Sequence, residues 1–224
     1  MIRSGISEAQ LLMQKIILEN GLKIRLEKKL TGGTFEDFMK IRSELVREDS
    51  TLEYDLGMLR KKTIALHTKK FFNDPNALNK FIEEAYMFFL EERHKVTFYE
   101  DVITVLEKLS AQYKLGVLTN GNADVNKLGI GHLFDFSVSS MDVKSNKPAQ
   151  GHFVRARELS QVDFNNTLHV GDHPVNDVLG ARELGINTAW FNLNNHAWDI
   201  DECPPIQFNK WSQFISLVED NYGN

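Results

Sequence analysis

From residue 96 onward, short apolar runs alternate with amphipathic stretches, and this rhythm restricts the fold more than any other feature of the chain. The runs are LGVLT at 115–119, FSVSS at 136–140, TLHVG at 167–171 and NTAWF at 187–191. Before the first of them, Val102, Val105, Leu106 and Leu109 recur at i, i+3, i+4 and i+7, and further helical patterns fall near 122–130, 151–160, 175–185 and 209–219. Strands joined by helices build βαβ units, so residues 96–224 are expected to form an α/β domain with a doubly wound parallel sheet.

Residues 1–95 carry no such alternation. Apolar residues recur at helical spacing, as at Leu11, Leu12, Ile16 and Ile17, which predicts an all-helical domain with helices near 7–20, 34–48, 54–71 and 75–93. Thr34 followed by Asp37 resembles a capping box, and Asp74 before Pro75 reads as an N-cap with proline at the first helical position. The aromatic run AYMFFL at 85–90 is best read as buried helix core.

Composition excludes several classes of function. The formal charge of -5 argues against a generic nucleic-acid binder. The helical part holds 17 Lys+Arg against 15 Asp+Glu and the remainder 9 against 16, so the acidic excess lies in the α/β part. Cys203 stands alone, which precludes an intrachain disulfide and suggests a reducing, cytoplasmic location. No apolar run is long enough for a transmembrane helix, and MIRSGISEAQ lacks the features of a secretory signal, so no membrane partner is expected.

In an open α/β sheet ligands gather beyond the carboxyl ends of the strands. Thr119-Asn120-Gly121-Asn122 follows the first run and offers a hydroxyl and successive N–H groups to an anion. Ser145-Asn146-Lys147-Pro148 follows the second and brings an ammonium group to the same edge. Gly171-Asp172-His173-Pro174-Val175-Asn176-Asp177 follows the third, where Asp172 and Asp177 could converge. Two like charges held together are costly unless a cation lies between them, and a pair of hard oxygen ligands beside a phosphate suits magnesium. The competing reading makes Asp177 an N-cap, Asp172 a turn residue and His173 a loop residue without a role.

Taken together and in this order, Thr119-Asn120, Lys147-Pro148 and Gly171-Asp172 through Asn176-Asp177 resemble motifs two, three and four of the haloacid dehalogenase-like hydrolase superfamily. The phrases LTNGNADV and LHVGDHPVNDVLGA are similar to its phosphatase branch, which includes the flavin-pathway sugar-phosphate phosphatase. The resemblance implies a Rossmann-like core over 96–224 and a helical cap over 1–95. It also implies that Thr119 and the Asn120 backbone bind the phosphoryl group, that Lys147 neutralises charge on phosphate and nucleophile, and that Asp172 and Asp177 anchor Mg. The implied substrate is a small phosphorylated metabolite, with no nucleic acid or membrane involved.

The superfamily's nucleophile is the first aspartate of an Asp-x-Asp motif ending the first core strand, ahead of the cap. MIRSGISEAQLL supplies no such strand, and the only Asp-x-Asp in the chain, Asp199-Ile200-Asp201, comes too late in the order and is expected in a surface loop. The first core strand is therefore expected to be missing. A chain without the aspartate that accepts the phosphoryl group is expected to be inactive alone. Three readings stand: a magnesium-dependent phosphatase lacking its nucleophile segment, a non-catalytic relative that binds a phosphorylated ligand or a partner, and a haloacid dehalogenase.

Overall fold

The computed structural model describes residues 35–222, which divide into two compact units, 35–96 and 97–222. The helix expected near 7–20 and the Thr34–Asp37 capping box lie outside the described residues and side chains. Among the described residues no helix is long and apolar enough to cross a membrane.

The first unit consists of α1 (Phe35–Glu48), α2 (Leu56–Thr68) and α3 (Pro75–His94). The starts of α2 and α3 are set locally. The Asp55 carboxylate accepts from the Met58 N–H at 2.9 Å, and the Asp74 carboxylate accepts from Asn76 and Ala77 at 3.0 and 3.2 Å with Pro75 following. These bonds satisfy N–H groups that the first turn of a helix leaves without partners. Helix α2 packs against both neighbours, and Ile64, Ile82, Ala85 and Phe89 form the buried seam. Ala85 and Phe89 place one face of the AYMFFL run in the core, while Met87 points to solvent.

The second unit is α/β and all its strand pairs are parallel. Helix α4 (Val102–Ser110) leads to β1 (Gly116–Thr119) and β2 (Phe136–Ser139). The short α5 (Ser140–Val143) and α6 (Gly151–Ser160) come next, then β3 (Leu168–Gly171). A π-helical turn, Pro174–Leu179, runs into α7 (Gly180–Arg182), and β4 (Asn187–Phe191), β5 (Ile206–Phe208) and α8 (Phe214–Tyr222) complete the unit.

Side chains of β4 alternate between two helical layers, as a strand covered on both faces requires. Ala189 and Phe191 join Val102, Val105 and Leu109 of α4 with Trp211, Phe214 and Val218 at the carboxyl end. Thr188 points the other way and accepts from the Arg182 Nε of α7 at 3.1 Å. On that side Phe153 of α6 packs with Ala181, Ile186 and Leu118.

The structure departs from the expected single sheet in its continuity. The strands form two sheets, β1–β2 and β3–β4–β5, and no ladder joins β1 to β3 among the described residues. Helix α6 lies behind both, since it packs on β1 and β2 while its Phe153 ring meets His169 of β3 edge-on at 5.1 Å. The helix expected near 122–130 is a set of turns. Asp124 accepts from the Asn126 N–H at 2.9 Å in a local turn, and Gly129 at φ +77° ends the segment. Strand β5 has no counterpart among the expected elements.

Candidate active site

The segments that follow β1, β2 and β3 carry the residues singled out in the sequence, and hydrogen bonds join Asn120, Lys147, Asp177 and the His173 N–H. Thr119 is the last residue of β1, and its hydroxyl accepts from the Gly121 N–H at 2.9 Å, which leaves the hydroxyl proton for another acceptor. The Asn120 side chain clamps the backbone of Lys147, accepting from its N–H at 2.7 Å and donating to its carbonyl at 2.8 Å. This clamp commits the Asn120 amide oxygen and one of its two Nδ2 protons to the lysine backbone. Lys147 precedes a cis peptide bond to Pro148.

Held in this way, the Lys147 side chain is buried. Its ammonium donates to the Leu118 carbonyl at 2.9 Å and to Asp177 Oδ1 at 2.6 Å. Two of its three protons are committed and one remains.

Asp177 sits inside the π-helical turn and is the electrostatic centre of the cluster. Besides Lys147, its Oδ1 accepts from His169 Nε2 at 3.1 Å, and its Oδ2 accepts from the His173 N–H at 3.0 Å. Burial by itself would raise this carboxyl's pKa. The His169 hydrogen bond and the Lys147 charge outweigh burial and hold the group well below the usual carboxylate range, so it is ionised. Gly171, the last residue of β3, makes the arrangement possible because any Cβ there would overlap Asp177 Cβ and Cγ.

Asp172 lies next to this cluster on an exposed loop, and its carbonyl accepts from Trp190 Nε1 at 3.0 Å. The N-cap of the turn is His173, whose Nδ1 accepts from Val175 and Asn176 at 3.2 and 3.1 Å. Both local alternatives are thereby corrected. Asp177 is not the cap, because its carboxylate turns inward to Lys147, and His173 is not a loop residue without a role. The Asp199-Ile200-Asp201 segment is an irregular stretch with both carboxylates exposed.

Two buried histidines escaped the sequence reading. His169 is the inward residue of β3, and burial lowers its pKa more than Asp177 raises it, so its imidazole is neutral. His152, at the start of α6, faces the Thr119 carbonyl through Nε2 at 3.1 Å and is likewise held neutral, chiefly by burial. A carbonyl or carboxylate oxygen only accepts, so each histidine carries its proton on Nε2. The available signal for His169 was its place inside the apolar run TLHVG, where a polar side chain needs a buried partner.

Among the described residues no group of three or more His, Cys, Asp or Glu could enclose a metal ion. The donor chemistry does suit a hard cation that keeps most of its water. A carboxylate has about four acceptor positions; three of those on Asp177 are filled, which leaves one on Oδ2, and Asp172, exposed, is the other carboxylate of this segment.

The haloacid dehalogenase-like hydrolase family model matches residues 35–191. A solved structure of 2-haloacid dehalogenase from Pseudomonas syringae pv. Tomato DC3000 aligns with a TM-score of 0.88 and 29% identity, covering 98% of this chain and 94% of that one. The 5-amino-6-(5-phospho-D-ribitylamino)uracil phosphatase YigB of Escherichia coli (strain K12) is 23% identical over 82% of this chain and 79% of its own length. The YfnB structure of Bacillus subtilis, solved bound to magnesium, shares the fold at a TM-score of 0.63 and 20% identity, covering 97% of this chain and 94% of its own. Three further relatives are matched over 57%, 50% and 60% of their own lengths. With a buried Lys147–Asp177 pair behind Thr119 and a family match across both units, this chain belongs to the haloacid dehalogenase-like hydrolase family.

Proposed function

We propose that the protein acts as a magnesium-dependent phosphatase on a small phosphorylated metabolite, and that these 224 residues hold the phosphate and the metal without carrying out turnover alone. The observation that carries this reading is the buried Lys147 ammonium set against the ionised Asp177 carboxylate, with Asn120, the residue after Thr119, clamping the lysine backbone. Such a cluster suits phosphoryl transfer, where positioning and charge stabilisation provide most of the rate enhancement. Thr119 donates its hydroxyl proton to a phosphate oxygen, the Asn120 backbone assists, and the remaining Lys147 proton meets a second oxygen. Asp172 and the open position on Asp177 Oδ2 hold magnesium, which neutralises charge on the phosphate oxygens when bound. Asn120 and His169 act behind this shell, fixing Lys147 and Asp177.

The reading is tested by calorimetric binding of orthophosphate to the chain with magnesium, and by phosphate release from a panel of phosphate esters. Binding should weaken in Thr119→Val. The 224 residues should release no phosphate, whereas the chain continued upstream through an Asp-x-Asp in its reading frame should. An upstream frame without that motif, or an extended protein that stays inactive, favours the non-catalytic ligand-binding reading. The 2-haloacid dehalogenase similarity supports a second reading. Halide release from a 2-haloacid that survives chelation would establish it in place of the phosphatase.

A further inference from the structure

The helical unit contains an electrostatic anomaly. Four of its lysines have carboxylate partners: Lys61 pairs with Glu83 at 2.7 Å, Lys62 with Asp49 at 3.1 Å, Lys80 with Glu84 at 3.9 Å, and Lys95 with Glu92. Three half-buried arginines in the same unit have none among the described residues: Arg42 on α1, Arg60 on α2 and Arg93 on α3. They are neighbours. The positive charges of Arg42 and Arg93 both act on Arg60. Burial lowers all three guanidinium groups, Arg60 the most, to about 10.

Their unmet hydrogen bonds point to a ligand. The Arg60 guanidinium lies over the Phe89 ring, 3.6 Å from its centre. Arg60 Nη1 and Arg93 Nε are nevertheless buried without any partner. A buried donor left unsatisfied costs about 1–3 kcal/mol, more when charged, and gathering three like charges adds to that cost. Nothing in helix packing requires this, since methionine or leucine would fill the same volume. The Tyr86 side chain also lies close enough to act on Arg60 and Arg93.

We infer that Arg42, Arg60 and Arg93 form a second anion site, one in the helical unit that binds a phosphate group through the unpaired edges of Arg60 and Arg93. Guanidinium forks match phosphate geometry, and three positive charges suit a dianion better than a single carboxylate. The group belongs either to free orthophosphate or to a phosphate monoester. The inference does not depend on chemistry at Thr119 or Lys147.

The test uses the full chain and two readouts. Phenylglyoxal modifies accessible arginines, and peptide mass spectrometry locates the adducts. At tenfold excess over its dissociation constant, phosphate should slow modification of Arg60 and Arg93 about tenfold, while exposed Arg47 reacts unchanged. A monoester that protects at lower concentration than orthophosphate identifies a larger ligand, and the reverse order identifies the free ion. In thermal unfolding, Arg60→Met should melt at or above the wild-type temperature without phosphate and should lose any phosphate-dependent rise contributed by this site. Equal protection by acetate, no protection of Arg60 and Arg93 by any phosphate compound, or a phosphate-free Arg60→Met that melts well below wild type would overturn the inference.

Discussion

His169 Nε2 donates to Asp177 Oδ1 at 3.1 Å, on the same oxygen that receives the Lys147 ammonium at 2.6 Å. A strand residue, a loop lysine and a carboxylate in a π-helical turn are thus tied to one atom, and the balance among them fixes the site. Removing the neutral donor should be felt without any change of net charge. His169→Leu is expected to lower unfolding stability by about 1–3 kcal/mol in urea titrations. His169→Gln, which can present an N–H at a similar place, should recover much of that loss. Equal losses in both variants would show that ring packing on Phe153 dominates over the hydrogen bond.

Burial lowers the pKa of both His152 and His169 from the ordinary 6.5, so in the folded state each resists the proton that the unfolded chain accepts. Their contribution to stability is present above that value and is lost as pH falls below it toward the folded-state pKa values. Unfolding free energy should therefore decline from pH 7 toward pH 5, by at most about 2.7 kcal/mol per pH unit for two histidines. The slope should be shallower in His152→Gln and in His169→Gln. Asp177, whose pKa is also lowered, adds a further loss only once pH drops below the unfolded carboxylate value of 3.8.

Gly171 tolerates no side chain. Gly171→Ala would drive its new methyl group into Asp177, and because Asp177 is held on both oxygens it has no easy retreat. A loss of roughly 2–4 kcal/mol is expected. The same variant should weaken orthophosphate binding in calorimetry, since Lys147 loses its aligned partner.

Asn120 is a positioning residue for Lys147. Asn120→Ala deletes both side-chain bonds to the lysine backbone and should cost about 1–3 kcal/mol. Phosphate affinity should fall with it. A variant that loses stability while binding phosphate as tightly as wild type would remove Asn120 from the site.

Asp172 predicts the opposite pattern. Its carboxylate is exposed, so Asp172→Asn should change stability by no more than about 0.5 kcal/mol. Magnesium affinity measured by titration calorimetry should nonetheless drop sharply. Unchanged magnesium binding would leave Asp177 without its proposed partner ligand.

The sequence exposed most of the scaffold because burial on both faces of a parallel strand writes itself as a continuous apolar run. NTAWF and TLHVG became β4 and β3 for that reason, and Asp74-Pro75 marked a helix start that the structure reproduces. IQF at 206–208 escaped because three residues with a polar centre give no period, and only pairing with β4 makes them a strand. VNKLGI mimicked a helix, yet the Asp124 turn and Gly129 end it within a few residues.

Residue order alone determined the α/β alternation, the helical first part and the placement of Thr119, Asn120, Lys147, Asp172 and Asp177 at or beyond strand ends, because periodicity and strand ends are local properties. Tertiary structure alone decided that Lys147 and Asp177 meet, that Asn120 faces backward to hold the lysine, and that His152 and His169 support the site from within. It also decided that Arg42, Arg60 and Arg93 come together without a carboxylate partner among the described residues. Each of those facts depends on groups distant in sequence sharing one low-dielectric space, where a hydrogen bond or a missing partner carries far more energy than it would in water.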